Sequence, residues 1–276
     1  MVLRWLNIKI IRRFSIPVAT SIRINSLRIS RDEFEGIMSK YGITPVSWYS
    51  GAYTSDYENL SKTLEYQLGY FYIQSLSSMV PPLVLDPKPG DVVLDVAAAP
   101  GSKSTQCAMQ MNDKGVVIAN DVSYMRLKSL ASHIDRLGIT CIAMTNFDGR
   151  RFPKLASFNK VLLDAPCSSM GSRRCTIQHS DGRIKSLAHL QKSLLLRAFD
   201  LLSPEGTLVY STCTTTIEEN EGVINALLEK RDDVVLETPV LPFRHEKGIS
   251  GNSVIDEKVC RFTLDESFFI AKLRKR

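Results

Sequence analysis

From residue 92 onward the chain repeats one pattern: a short apolar run, a turn of small or acidic residues, then a longer stretch with one apolar face. The apolar runs are Val92-Val-Leu-Asp-Val96, Val116 to Ala119, Cys141 to Met144, Lys160 to Leu163, Thr207 to Ser211, Val234 to Glu237 and Phe268 to Leu273. Each has the length and composition of a buried strand. Helices are predicted between them, over Ser102 to about Met111, Ser123 to about Leu137, 187 to 202 and Glu218 to Lys230. Short strands alternating with helices pack in one economical way, as a doubly wound sheet with helices on both faces. The chain is therefore expected to form an α/β, Rossmann-like domain on a mostly parallel seven-stranded sheet.

The first quarter of the chain reads differently. Ile22-Arg-Ile-Asn-Ser-Leu-Arg-Ile29 alternates apolar and polar residues, the period of a half-buried strand. A helix is expected from Asp32 to Tyr41, with Phe34, Ile37 and Met38 on one face and Gly42 as its stop. Aromatic residues crowd positions 48 to 72, where they either stack on bases or pack a small domain onto a larger one. The division drawn from these patterns is a basic segment at 1–20, a small N-terminal α/β domain at 21–65 and the Rossmann-like domain at 66–276.

Charge is distributed unevenly. Residues 1 to 31 carry seven basic side chains (Arg4, Lys9, Arg12, Arg13, Arg23, Arg28, Arg31) and no acid, and Lys272, Arg274, Lys275 and Arg276 end the chain. All 29 acidic residues lie between, so the net charge of +6 belongs to the termini. Basic ends on a slightly acidic body suit a polyanion partner, whose counterions Lys and Arg displace; solvated tails and an organelle transit segment at 1–20 are the competing readings. Every apolar run is interrupted by charge, so no membrane span is expected. The six cysteines form no C-x-x-C pair, which argues against a metal site, and the expected setting is a reducing cytoplasm.

Asp95-Val-Ala-Ala-Ala-Pro-Gly-Ser-Lys103 is a strand, loop and helix start made of small residues, and ligands of open parallel sheets lie at such strand ends. It is neither a G-x-G-x-x-G dinucleotide fingerprint nor a phosphate-binding P-loop, because Gly-Ser-Lys-Ser at 101 to 104 lacks the glycine five residues earlier. A cofactor with an adenosine and no phosphates fits. Asp121 ends the second strand, where a carboxylate accepts from ribose hydroxyls; Asp148 follows the third and is placed to accept from an adenine amino group; Asp164 ends the fourth. Helix caps and turns use the same residue type, but three acids at successive strand ends point to a site. Cys167 and Cys213 follow the fourth and fifth strands, on the same rim, where a thiolate is an efficient carbon nucleophile. Cys107, Cys141, Cys175 and Cys260 read as structural thiols.

The order of these motifs resembles the Nop/Sun (Sun/Fmu-type) family of S-adenosylmethionine-dependent RNA cytosine-C5 methyltransferases, in particular its small, archaeal-like tRNA-type members. The resemblance rests on Ile22-Arg-Ile-Asn-Ser-Leu-Arg, Gln74-Ser-Leu-Ser-Ser-Met, Asp95 to Lys103, Asn120-Asp-Val with Arg126, Asp148-Gly-Arg, Asp164-Ala-Pro-Cys-Ser-Ser-Met-Gly171, Ser211-Thr-Cys-Thr214 and Phe268-Phe-Ile-Ala-Lys-Leu273. It implies a class I methyltransferase fold and a site in which Ala97, Ala98, Ala99, Pro100, Gly101, Ser102, Lys103, Asp121, Arg126, Asp148 and Asp164 surround S-adenosylmethionine. It implies further that Cys213 is the nucleophile, Cys167 assists product release, and Asp164 holds the cytosine ring. RNA is the implied partner, with tRNA favoured over ribosomal RNA and a monomer expected. The basic run Arg173, Arg174, Arg183 and Lys185, read as a loop, is placed near the substrate strand.

Two stretches depart from the family pattern. Thr214-Thr-Thr-Ile stands where Ser and then Pro are usual after the nucleophile, and Glu266-Ser-Phe-Phe269 replaces Asp-Gly-Phe-Phe. A DNA cytosine methyltransferase, using Cys167 as nucleophile, needs a Glu-Asn-Val element, and Glu219-Asn220 is followed by Glu221. A non-catalytic RNA-binding protein on the same scaffold is the remaining alternative, against which the retained Cys213, Cys167 and Asp164 speak.

Overall fold

The computed structural model describes residues 19–154, 156–172 and 179–276. Arg4, Lys9, Arg12, Arg13, Arg173, Arg174 and Cys175 lie outside them.

The N-terminal unit is a four-stranded antiparallel sheet of β1 (Thr20–Ile24), β2 (Ile43–Pro45), β3 (Ala52–Ser55) and β4 (Phe71–Ile73), in the order β2-β3-β1-β4. Helix α1 (Arg31–Met38) starts in a capping box, in which Ser30 Oγ accepts from Glu33 N and the Glu33 carboxylate accepts from Ser30 N. It buries Phe34 and Met38 against Ile22, Tyr53 and Phe71. The short helix α2 (Leu64–Gln67) precedes β4. The aromatics of this region pack: Phe34 lies 5.2 Å from Tyr53 and 6.3 Å from Phe71, and Trp48 lies 5.1 Å from Phe243 of the second unit.

Three expectations change here. The strand expected over 22–29 ends at Ile24, because Asn25 turns the chain and its amide donates to Gly69 O and Leu137 O. The small sheet runs to Ile73 rather than stopping at residue 65, since β4 supplies the edge that pairs with β1. Arg23, counted above among the cations available to a polyanion, is wholly buried; it donates to Gln74 Oε1, Ser102 O, Gln106 Oε1 and Thr105 Oγ1. Burial pushes its guanidinium down to about 10. Arg23 is a bolt between the two units, not an RNA contact.

The second unit begins with α3 (Leu76–Leu85) and continues with β5 (Val92–Asp95), α4 (Ser102–Gln110), β6 (Val116–Asn120), α5 (Tyr124–Leu137), β7 (Ile142–Thr145) and β8 (Phe158–Asp164). After them come α6 (Asp181–Leu201), β9 (Leu202–Thr212), α7 (Glu221–Leu228), β10 (Val234–Glu237), α8 (Ser253–Asp256), β11 (Cys260–Thr263) and β12 (Ser267–Lys275). The sheet order is β10-β12-β9-β8-β5-β6-β7, with β11 paired to β12 as an eighth strand. Neighbours from β9 to β7 run parallel, and β12 runs antiparallel to β9, β10 and β11.

Successive strand residues feed opposite faces. Val161 and Leu163 pack with Leu195, Phe199 and Ile224, whereas Leu162 packs with Val80, Ala108 and Leu130. Each such buried side chain contributes about 1.5–3 kcal/mol relative to exposure. The chain leaves β5 toward β6 on one side and returns to β8 on the other, so strand order reverses between β5 and β8. A crevice opens beyond the carboxyl ends of strands at such a reversal. Among the described residues no helix is long and apolar enough to cross a membrane.

Candidate active site

At that reversal lies a cleft of about 500 Å³, lined by Val96, Ala97 and Ala99 after β5, Asp121 and Val122 after β6, Asp148 to Arg150 after β7, and Asp164 to Cys167 after β8. Cys213, just past β9, completes the rim, and Arg183, Leu187, Leu190 and Leu194 of α6 form the facing wall. Arg183 and Lys185, expected in a loop, are helical.

The cofactor-side residues divide. Asp121 accepts from Ala99 N at 3.2 Å and from Ser123 N at 2.8 Å, and it pairs with Arg126 Nη1 at 3.1 Å. Arg126 also donates to Ala99 O. This mesh fixes the 97–99 turn against the end of β6. Asp148 is gripped by Arg150, whose hydrogen bonds hold its carboxyl below the usual range. Pro100, Gly101, Ser102 and Lys103 leave the lining. Gly101 takes a left-handed φ of 106° and has Leu130 where a β-carbon would stand, Ser102 O accepts from Arg23, and Ala98 is buried behind the turn. Small side chains at 97 and 99 let a ligand approach the backbone closely, and Asp121, at the strand end, lines the same cleft.

Lys103 instead reaches under the cleft. Its ammonium lies 2.7 Å from Asp164 Oδ2 and donates to Ser78 Oγ at 2.7 Å, while Ser211 Oγ donates to Asp164 Oδ1 at 2.7 Å. Asp95, the last residue of β5, is fully buried; Ser104 donates to its Oδ2, its Oδ1 has no well-formed hydrogen bond among the described residues, and burial raises its carboxyl to about 7.

The two cysteines meet. Cys167 Sγ and Cys213 Sγ are 3.3 Å apart, and Ser169 Oγ is 3.4 Å from Cys213 Sγ. The hydrogen bond from Cys167, with that of Ser169, holds the Cys213 thiol below its ordinary value, and the same partnership with burial drives the Cys167 thiol well above it. The pair thus favours one thiolate, on Cys213, solvated by a thiol. Cys107 and Cys260 are buried and Cys141 half-buried, away from this cleft.

Residues given no catalytic role from the sequence hold the sulfurs in place. Glu219 is wholly buried and accepts from Ser168 N, Ser168 Oγ, Gln191 Nε2 and Thr216 Oγ1, tying the loop of Cys167 to the segment after Cys213. Asn220 accepts from Thr212 Oγ1 and donates to Thr214 O, bracketing Cys213 on both sides. The signal was present as Glu218-Glu-Asn-Glu221, expected as a helix start; the helix begins at Glu221, and Glu219 and Asn220 just before it are buried.

A profile described as 16S rRNA methyltransferase RsmB/F matches residues 82–274, and one for the N-terminal domain of 16S rRNA methyltransferase RsmF matches residues 8–76. The chain belongs to the RsmB/F methyltransferase family. Within that family it is 40% identical to a tRNA (cytosine(49)-C(5))-methyltransferase of Pyrococcus abyssi, over 94% of this chain and 89% of the relative. It is 39% identical to ribosomal RNA small subunit methyltransferase F of Erwinia tasmaniensis, again over 94% of this chain, but it spans only 58% of that relative's length. The crystal structure of NSun6 from Pyrococcus horikoshii with SFG superposes with a TM-score of 0.83 at 28% identity, covering 93% of this chain and 90% of that one. A methyltransferase homolog protein from the same organism gives a TM-score of 0.83 at 35% identity, covering 94% and 87%.

Proposed function

We propose that the protein transfers a methyl group from S-adenosylmethionine to C5 of a cytosine in RNA, with tRNA as the substrate. The carrying observation is the sulfur pair: Cys213 and Cys167, 3.3 Å apart, share one cleft with Asp164 and with the turn at 97–99. Family membership supports the enzyme class, and the relative that methylates tRNA C49 supports tRNA.

C5 of cytosine is too weak a nucleophile to accept a methyl group until its ring is activated. The Cys213 thiolate adds to C6, forming an S–C6 bond and placing electron density on C5. Asp164, fixed by Lys103 and Ser211, is positioned to hold the N3 and amino edge as charge moves into the ring. S-adenosylmethionine, held by Ala97, Ala99, Asp121 and Arg126, would supply the electrophilic methyl group, the sulfur keeping the bonding pair as a neutral thioether. Loss of the C5 proton to water then lets the S–C6 bond break. Cys167, whose thiol already faces the Cys213 sulfur, donates a hydrogen bond to the departing thiolate.

Ala97, Ala99, Asp121, Arg126 and Asp148 form the cofactor half in this reading, and the cytosine is drawn out of its stack to reach the sulfurs. The N-terminal sheet and the basic segment at 1–20 help hold the RNA. The enzyme works as a monomer in the cytoplasm, where such thiols stay reduced. Bisulfite sequencing of RNA from cells with and without the protein tests the reading: a tRNA cytosine that loses protection without it is expected, and an unchanged methylation map contradicts it.

A further inference from the structure

Cys213 stands between two cavities. Beyond it, Thr214 and Thr215 open a second cavity of about 420 Å³, walled also by Arg244, Thr263, Ser267 and Phe268. The partition is a backbone clasp: Gly171 N donates to Cys213 O at 3.0 Å, and Ser267 N donates to Gly171 O at 3.0 Å. A β-carbon at Gly171 would sit 2.7 Å from Ser267 O and 2.9 Å from Cys213 O, so only glycine lets the three strands of chain lie this close. Phe268 lines this second cavity, and its ring centroid lies 5.7 Å from the Lys103 ammonium that holds Asp164.

The cations of this second cavity are unequally engaged. Arg261 is taken by Glu221 and by Thr215 O. Arg244 is exposed and makes no hydrogen bond or ion pair among the described residues. Beside it stand the exposed Glu246 and the hydroxyl pair of Thr263 and Ser267, 3.0 Å apart. A guanidinium without a partner among the described residues suits a single phosphate, and a carboxylate and two hydroxyls suit the donors of a base edge or a ribose. The volume is within the range of small-ligand sites. Each departure from the family pattern contributes to this cavity, the first through Thr214 and Thr215 and the second through Ser267.

We propose that this cavity is a subsite for the nucleotide adjoining the target cytosine on the same RNA strand, with Arg244 on its phosphate and the Glu246, Thr263 and Ser267 side chains on its base or ribose. The proposal rests on the RNA cytosine-methylation reading. It makes the neighbour of the methylated cytosine a determinant of substrate choice.

The test uses the full chain, labelled S-adenosylmethionine and unmodified tRNA transcripts in which the nucleotide on each side of the methylated cytosine is changed in turn. The wild type is expected to prefer one neighbour. Arg244→Ala, a change at an exposed side chain, should raise KM for RNA about tenfold with kcat within about twofold. It should also lower the slope of log affinity against log salt by about 0.7, the value for one phosphate of a single strand. Thr263→Val should flatten the preference between neighbours. An active Arg244→Ala enzyme with wild-type KM and salt slope overturns the subsite. No methylation of any transcript by the wild type overturns the function on which it rests, and the subsite with it.

Discussion

The Lys103 ammonium lies 2.7 Å from Asp164 Oδ2 and 2.7 Å from Ser78 Oγ, so one buried cation joins α4 and α3 to the carboxylate at the end of β8. Removing one partner of such a pair leaves the other uncompensated, which costs more than the pair contributes when intact. Lys103→Met is expected to lower kcat for RNA methylation at least tenfold and to destabilise the fold by about 1–3 kcal/mol. Single-turnover kinetics and thermal melts check both parts; full activity in Lys103→Met would detach Asp164 from the chemistry.

Cofactor affinity should depend on Asp121. It anchors Ala99 N and Arg126 and offers the acceptors assigned to ribose hydroxyls. Losing hydrogen bonds to a charged group costs about 1.5–3 kcal/mol each, so Asp121→Ala should weaken S-adenosylmethionine binding by at least tenfold in calorimetry. Unchanged binding would remove Asp121 from the site.

The thiol pair predicts a pH profile. The hydrogen bond from Cys167 holds the Cys213 thiol below its ordinary value, so activity should rise with pH with its midpoint below that ordinary thiol value. Cys167→Ala removes that hydrogen bond, and the ionisation of Cys213, followed by the rate of thiol alkylation, should move to higher pH. An unshifted profile would show that the sulfurs do not share a proton.

Asp95 predicts a pH-dependent stability of the opposite sense to most carboxylates. Its folded carboxyl is raised to about 7 by burial, from an ordinary value of 3.8. The folded state therefore holds a proton that the unfolded state releases, and stability is lost as pH rises from about 4 through 7. Asp95→Asn, which cannot ionise, should gain stability relative to wild type across that interval, by up to a few kcal/mol at pH 8. Parallel stability curves for the two proteins from pH 4 to 8 would contradict this.

Much of the second unit was legible because buried strands announce themselves. Val92–Asp95, Val116–Asn120 and Phe158–Asp164 lie within a residue or two of their apolar runs, and the acids at their ends sit where small turns must. Helix α3 gave no such signal: Pro81 and Pro82 stand inside it and eight of its ten residues are buried, so it shows neither periodicity nor a polar face. Arg23 misled for a related reason, since a strand buried on both faces at Ile22, Arg23 and Ile24 turns an alternating pattern into a false promise of solvent. Strands β2, β3 and β4 are three or four residues long and are defined by their partners rather than by their own composition. In the site, Cys167, Cys213, Asp121 and Asp164 are where their strand ends put them. The turning away of residues 100–103 was invisible, because it depends on Leu130 and Arg23, neither of which is near that segment in sequence.

The asymmetry of the two cysteines is tested most directly by trapping. With Cys167→Ala the Cys213 thiolate should still attack and the methyl group should still transfer, but release should stall and leave RNA bonded to the protein. A denaturing gel of that variant incubated with tRNA and S-adenosylmethionine should show a shifted band that survives detergent and heat, and Cys213→Ala should show none. A trapped adduct in Cys213→Ala and none in Cys167→Ala would contradict the assignment of Cys213 as the nucleophile.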